Sequence, residues 1–290
     1  VVRETKPKAF IFENVKGLTR ASFASYLAYI VHQLTYPELM RRTEESWEDH
    51  LTRLERHHTG RKSRSGLTYR VVHRVLNAAD FGVPQRRERV VFVGFRADLG
   101  IEWSFPEPTH SREALLWDQG PRGGYWDRHG IAHRQRAVSP RSAEAMLLHR
   151  EPAGKSPWRS VRDAIGDLPD PERDPKAALK VLNHKFQAGA RVYPGHTGSP
   201  LDEPAKTLKA GVHGVPGGEN MLVRADGSVR YFTVRESARL QTFPDDYAFH
   251  GSWSEAMRQL GNAVPVRLAE IIATDVRGYL MPKASAGAQH

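Results

Sequence analysis

The sequence predicts an α/β fold with a smaller, irregular, β-containing second domain. Three observations carry this. Two continuous apolar runs, Ala9 to Phe12 (AFIF) and Arg89 to Phe95 (RVVFVGF), have the unbroken pattern of strands buried on both faces. Between them, residues 19–34 (TRASFASYLAYIVHQL) space apolar residues at helical intervals behind a Thr cap. Strand followed by helix is the repeating unit of α/β proteins. From residue 97 to 219 the texture changes to Pro, Gly, Arg and His with weak periodicity, as in a domain of short strands and long loops.

Taken in order, the elements begin abruptly. The opening residues VVRETKPKAFIF lack the shape of a signal peptide and reach a strand almost at once, which suggests a chain cut inside a domain. Residues 41–58 are charged and predict an exposed helix. His57 to Arg74 holds Arg61, Lys62, Arg64, Arg70 and Arg74 with no acidic residue. It reads as a surface loop leading into a strand from Tyr69 to Leu76, with a solvated face and phosphate contact as the alternatives. Asn220 to Phe232 predicts a hairpin that turns at Asp226-Gly227. Thr233 caps a helix through Leu240. Ser254 to Leu260 and Val264 to Leu280 are further helices, the latter with Pro265 in its first turn. The tail from Met281 is small and polar and frays. The implied domains are 1–96, 97–251 and a returning segment, 252–290.

Composition narrows the partners. Of 290 residues 39% are hydrophobic, enough for a core, and no apolar run approaches the ~18 residues of a membrane span. Lys and Arg number 43 against 33 Asp and Glu, a net charge of +10 that favours a polyanion, nucleic acid first. The absence of cysteine excludes disulfides and thiolate metal sites. The paired histidines His57-His58 and His129 with His133 have no carboxylate or cysteine at ligand spacing, so they predict exposed or phosphate-facing groups and no metal.

Four motifs stand in order: Glu13-Asn14-Val15 within KPKAFIFENVKGL, Gln85 to Arg89 within FGVPQRRER, Arg235 to Gln241 within RESARLQTFPDDY, and QLGNAVP ending at Pro265. Any one of them is weak evidence; together they are specific. In this order they resemble the C-terminal portion of a bacterial-type DNA (cytosine-5) methyltransferase. PAKTLKA (204–210) and HGVPGGENML also look typical of bacterial members. The likeness runs from about Val1 to Leu280 and is diffuse between 97 and 200.

The resemblance implies the later half of a Rossmann-like methyltransferase sheet, a target-recognition domain, and a C-terminal helix that returns to the sheet, with duplex DNA in the cleft between the parts. The target cytosine is flipped out of the stack. That family adds a cysteine thiolate to C6 of the base, which makes C5 nucleophilic and pushes electron density onto N3 and O2. Glu13 is then the carboxylate at N3 and the exocyclic amine. Arg89 reaches O2, and Arg87 shapes the pocket and the backbone beside it. Such groups act on charge that develops in the transition state. Gln85 precedes them at a turn set by Pro84. Asn262 and Ala263 lie at the methionine end of S-adenosyl-L-methionine. There Gly261 allows a tight turn, and the N–H groups opening the next helix suit a carboxylate. Arg235, Glu236 and Arg239 scaffold the recognition domain, and Asp245 and Asp246 cap a turn. Arg122, Arg128, Arg134, Arg136 and Arg141, set against one acid (Asp127), are the candidates for reading guanine.

The family's glycine-rich cofactor loop, acidic ribose-binding residue and Pro-Cys motif all precede the position of Glu13, and nothing in this sequence replaces them. The S-adenosyl-L-methionine site is therefore expected to be incomplete, and the nucleophile to come from an N-terminal methyltransferase segment or subunit. Three origins fit: a fragment, the C-terminal subunit of a split enzyme, or a degenerate copy. The rival readings are a non-catalytic DNA-recognition or regulatory subunit and a methyltransferase acting on RNA. Residues 41–68 look like a charged insertion. Restriction–modification and a bacterial cytoplasmic, nucleoid-associated location follow from the resemblance only.

Overall fold

A computed structural model describes residues 1–60, 66–133, 136, 154–194, 197–210 and 218–281. Among them the helices are α1 (Val2–Thr5), α2 (Ala24–Thr35), α3 (Trp47–Thr59), α4 (Arg112–Asp118), α5 (Tyr125–Arg128), α6 (Val161–Ile165), α7 (Pro175–Ala178), α8 (Val234–Leu240), α9 (Trp253–Asn262) and α10 (Val266–Leu280). The strands are β1 (Ala9–Val15), β2 (Tyr69–Asn77), β3 (Glu88–Arg96), β4 (His110–Ser111), β5 (Ser156–Pro157), β6 (Ser199–Pro200), β7 (Met221–Val223) and β8 (Val229–Tyr231). The α/β class expected from the sequence is what these residues form. They divide into two compact units. One comprises 1–76, 88–106 and 271–290; the other comprises 77–87 and 107–270. Residues 77–87 thus group with the second unit, away from the neighbours they have in sequence.

In the first unit the strands lie in the order β1-β3-β2, and β1 runs antiparallel to β3. The central place of β3 explains its composition. Val90, Val91, Phe92, Val93 and Phe95 are all buried, as a strand covered on both faces requires. Gly94 stands opposite Phe10, and any Cβ there would run into the Phe10 ring. On the edge strand β1, by contrast, Ile11, Phe12 and Val15 remain 39%, 41% and 56% exposed.

The helix expected over 19–34 starts later. Lys16–Thr19 and Ala21–Phe23 form 3₁₀ turns, and Thr19 Oγ1 donates back to the Lys16 carbonyl rather than capping. α2 lays Leu27, Ile30, Val31 and Leu34 against Leu18, Val90 and Phe92. Its other flank meets α3, in the charged stretch 41–58. That helix was expected to be exposed, but only its outer face is. His50, Leu51 and Leu54 are buried and pack with Tyr29 and Tyr36. Ser46 caps α3 by accepting from the Asp49 N–H, and Arg53 binds Glu45 through two nitrogens at 2.7 Å. This stretch therefore contributes to a small core shared with α2. Of the basic run, residues 61–65 lie outside the described residues.

The second unit contains the expected hairpin: β7 and β8 are antiparallel and turn through Asp226-Gly227, with Gly227 at φ 80°. β6 joins β7 in parallel. The core gathers Val161, Leu208, Leu222, Phe232 and Leu240, with a second group of Val234, Phe249, Met257 and Leu260. α8 has a capping box in which Thr233 Oγ1 accepts from the Glu236 N–H and the Glu236 carboxylate accepts from the Thr233 N–H. The cap of α9 is Ser252, two residues before the expected start. Among the described residues no helix is long and apolar enough to cross a membrane. The tail expected to fray, beyond Met281, lies outside the described residues, as do Arg134, Arg141 and the first half of HGVPGGENML.

Candidate functional site

The first unit brings together the two residues with the strongest chemical expectation. Antiparallel pairing sets Glu13 opposite Val91 and Val15 opposite Arg89. Residues two apart on a strand share a face, so Glu13 and Arg89 are diagonal neighbours on one face. Their side chains close that gap: Glu13 Oε1 lies 2.7 Å from Arg89 Nε, with only 25% and 12% of the two side chains exposed. Burial pulls the Arg89 guanidinium below its ordinary basicity, and the Glu13 carboxylate offsets part of that shift. Arg89 Nη1 donates to the Glu88 carbonyl at 2.8 Å, which fixes the plane of the guanidinium. The pair is a carboxylate and a planar donor set held side by side, both mostly buried. That combination can engage a flat, amide-like ligand edge at two adjacent atoms.

Arg87 and Gln85 belong to the second unit. Arg87 is fully buried. Its Nη1 donates to the Leu208 carbonyl at 2.9 Å, and its Nη2 donates to the Gly261 and Ala263 carbonyls at 2.7 and 2.8 Å. It is a brace between segments, which is the backbone-shaping part of the role expected of it. Gln85 was expected at DNA. It is fully buried instead, with Nε2 donating to the Leu240 carbonyl and Oε1 accepting from the Leu208 N–H. A side chain with no exposed surface and both ends of its amide bonded cannot reach a duplex.

The cofactor candidates are also reinterpreted. Asn262 is exposed, and Ala263 offers its carbonyl to Arg87. The first N–H groups of α10, expected to receive a carboxylate, are already used. Val266 N–H donates to the Gln241 carbonyl at 3.0 Å, and Arg267 N–H donates to Thr242 Oγ1 at 2.9 Å. Gly261 serves close packing rather than a turn, because a Cβ there would overlap the backbone of Lys209 and Ala210. Toward S-adenosyl-L-methionine, the described residues offer the exposed Asn262 side chain.

The recognition candidates separate by their partners. Arg122 is exposed. Arg128 is committed to Asp118, and Arg136 pairs with Asp127 at 3.1 Å while its Nε donates to the Ile131 carbonyl. The acid that holds Arg128 comes from outside the basic run, where a local reading does not find it. His129, expected to be exposed or phosphate-facing, is mostly buried and pairs with Asp163 at 2.9 Å. Asp245, expected as a cap, binds Arg239 at 2.7 and 2.8 Å. The scaffold role of the third motif takes a definite form. Arg235 is fully buried and donates to the Leu182, Pro244 and Tyr247 carbonyls, while Glu236 forms a buried bidentate pair with Arg230 at 2.6 and 2.7 Å.

Comparison with known proteins places these residues in a family. A family model for C-5 cytosine-specific DNA methylases matches residues 61–277. The chain is 28% identical to the type II methyltransferase M.MthTI of Methanothermobacter thermautotrophicus, over 96% of this chain and 68% of that protein. It is 30% identical to the type II methyltransferase M.SacI of Streptomyces achromogenes, over 97% of this chain and 63% of that protein. It thus spans about two thirds of the length of these relatives. Among solved structures it is similar to the Dnmt2 methyltransferase of S. pombe, with a TM-score of 0.47 and 14% identity over 94% of this chain and 67% of that one. The match over most of its length shows that the chain belongs to the C-5 cytosine-specific DNA methylase family.

Proposed function

We propose that the chain is the C-terminal part of a DNA cytosine-5 methyltransferase, which transfers a methyl group from S-adenosyl-L-methionine to C5 of a cytosine flipped out of duplex DNA. The observation that carries this reading is the Glu13–Arg89 pair, 2.7 Å apart and mostly buried on one face of the sheet. A protein that only binds DNA has no use for a half-dry carboxylate against an arginine. In this reading the Glu13 carboxyl faces N3 and the exocyclic amine, and Arg89 donates to O2. Both stabilise electron density that grows on the ring when a nucleophile adds at C6. Their strand-to-strand geometry holds them ready before the base arrives, so little reorganisation is needed. S-adenosyl-L-methionine, when bound, supplies the methyl group.

The chain contains no cysteine. The nucleophile and most of the cofactor site therefore come from an N-terminal segment, either covalently continuous or a separate subunit. The edge position of β1, on which Ile11, Phe12 and Val15 stay partly exposed, supports this. A strand and flanking helices placed there would cover that apolar surface. The net charge of +10 suits duplex DNA, and Arg122 is the described candidate for contact.

The test is methyl transfer from labelled S-adenosyl-L-methionine to DNA, by the chain alone and by the chain combined with the segment encoded upstream. Activity in the combination and none in the chain alone is the expected result. DNA binding without activity in either would favour a non-catalytic recognition or regulatory subunit. Activity from the cysteine-free chain alone would overturn the mechanism.

A further inference from the structure

We propose that Lys16 and Glu88 form a clasp that orients Arg89 against Glu13, which makes both of them positioning residues for the base pocket. The inference rests on the pocket reading given above. The β1–β3 ladder ends with Val15 opposite Arg89. Lys16 and Glu88 are the next residues on each side, at the end of the ladder from which Glu13 and Arg89 project. Lys16 Nζ donates to both carboxylate oxygens of Glu88 at 2.8 Å. The backbone carbonyl of the same Glu88 accepts from Arg89 Nη1 at 2.8 Å. Glu88 therefore holds Lys16 with its side chain and the Arg89 guanidinium with its main chain.

The arrangement has a physical consequence. The guanidinium has two contacts here, an ion pair of Nε with Glu13 and a hydrogen bond from Nη1 to the Glu88 carbonyl, and only the second is directed. The second contact is only as steady as the first residue of β3, and strand ends fray. Lys16 supplies the restraint from the other strand. It also begins the 3₁₀ turn that carries Leu18 into the core with Val90 and Phe92, so its backbone is anchored. Without the clasp the Glu88 carbonyl is free to swing, and Arg89 loses its defined plane while keeping its charge.

The alternative for Lys16 is a direct contact to a DNA phosphate, and the two roles separate by experiment. The variants are K16M, E88Q and the charge swap K16E/E88K, in the methyltransferase assembled from this chain and its N-terminal segment. The clasp predicts that each single variant lowers kcat by about fivefold, the ceiling for a solvent-exposed ion pair, with KM for DNA unchanged. It also predicts that the swap restores most of the loss. A second readout needs no activity: the ¹⁵Nε–H resonance of Arg89 in this chain should be narrow in the parent, broadened in both single variants and recovered in the swap. A rise in KM and a shallower salt dependence for K16M, with E88Q silent, would assign Lys16 to phosphate and overturn the clasp. An Arg89 resonance indifferent to all three changes would overturn it as well. If the assembled protein transfers no methyl group, the pocket reading fails, and the Arg89 resonance still decides whether the clasp exists.

Discussion

Glu13 and Arg89 meet through a cross-strand diagonal: Glu13 stands opposite Val91, Arg89 opposite Val15, and the carboxylate Oε1 lies 2.7 Å from Nε. The pairing register therefore sets the chemistry. A slip of one residue would send one of the two side chains to the opposite face of the sheet.

The first prediction concerns that pair. In the assembled enzyme, Glu13→Gln should lower kcat by on the order of 10²-fold and leave DNA affinity within about twofold, because the carboxyl group acts on charge that appears in the transition state. Steady-state kinetics beside equilibrium DNA binding measures both. Equal losses in the two would remove Glu13 from the pocket.

Arg87 predicts an effect on folding instead. Three backbone carbonyls converge on its fully buried guanidinium. Arg87→Ala should cost about 3 kcal/mol or more, since it strips charge-assisted hydrogen bonds from buried acceptors. Arg87→Lys should recover only part of this, because an ammonium cannot span the same carbonyls. Urea titration followed by tryptophan fluorescence gives the value, and a loss under about 1 kcal/mol would count against the brace.

Glu236 combines two duties, a bidentate pair with Arg230 and the capping box of α8. Both side chains of the pair are almost completely buried. Glu236→Gln should destabilise by about 3 kcal/mol, because a buried arginine loses its bidentate partner and keeps only Asp170, 3.7 Å from its Nε. A better outcome is expected when both are replaced together by apolar residues, which removes the buried charge. A double-mutant cycle measures that coupling.

His110 gives a pH dependence with a definite sign. Burial pushes its pKa below the ordinary 6.5, and the positive charges of Arg267 and Arg159 push it the same way. The unfolded chain then binds a proton that the folded one resists. Stability from this residue is complete above about pH 6.5 and is lost as pH falls through the lower folded value. Thermal unfolding between about pH 7 and pH 5 should show that slope, and His110→Gln should flatten it. An unchanged slope in the variant would assign the acid sensitivity elsewhere.

Arg122 and Arg128 should behave unlike each other, although they share one basic run. Arg122 is exposed; Arg128 is bound to Asp118. Arg122→Ala should weaken DNA binding and reduce the slope of affinity against salt by about one unit. Arg128→Ala should act on the local fold and leave that slope unchanged. Binding measured at several salt concentrations separates them.

The sequence by itself determined the α/β class, the family likeness and the order of the four motifs. It also placed the strands and the hairpin at Asp226-Gly227. These features are local: apolar runs, turn residues and short fixed spacings register in neighbouring positions. It named Glu13 and Arg89 as well, through motif likeness, but only the register of β1 against β3 put them on one face. Burial was decided by tertiary structure. Gln85 reads as a DNA-facing group and Arg87 as one that shapes the base pocket and its backbone, yet both are fully buried where distant carbonyls and amides satisfy them. The same holds for α3, whose charged sequence conceals an inner face of His50, Leu51 and Leu54. It holds too for the first N–H groups of α10, which look open in sequence and are taken by Gln241 and Thr242. Which partner satisfies a polar group depends on segments far apart in the chain, and that information exists only once the chain has folded.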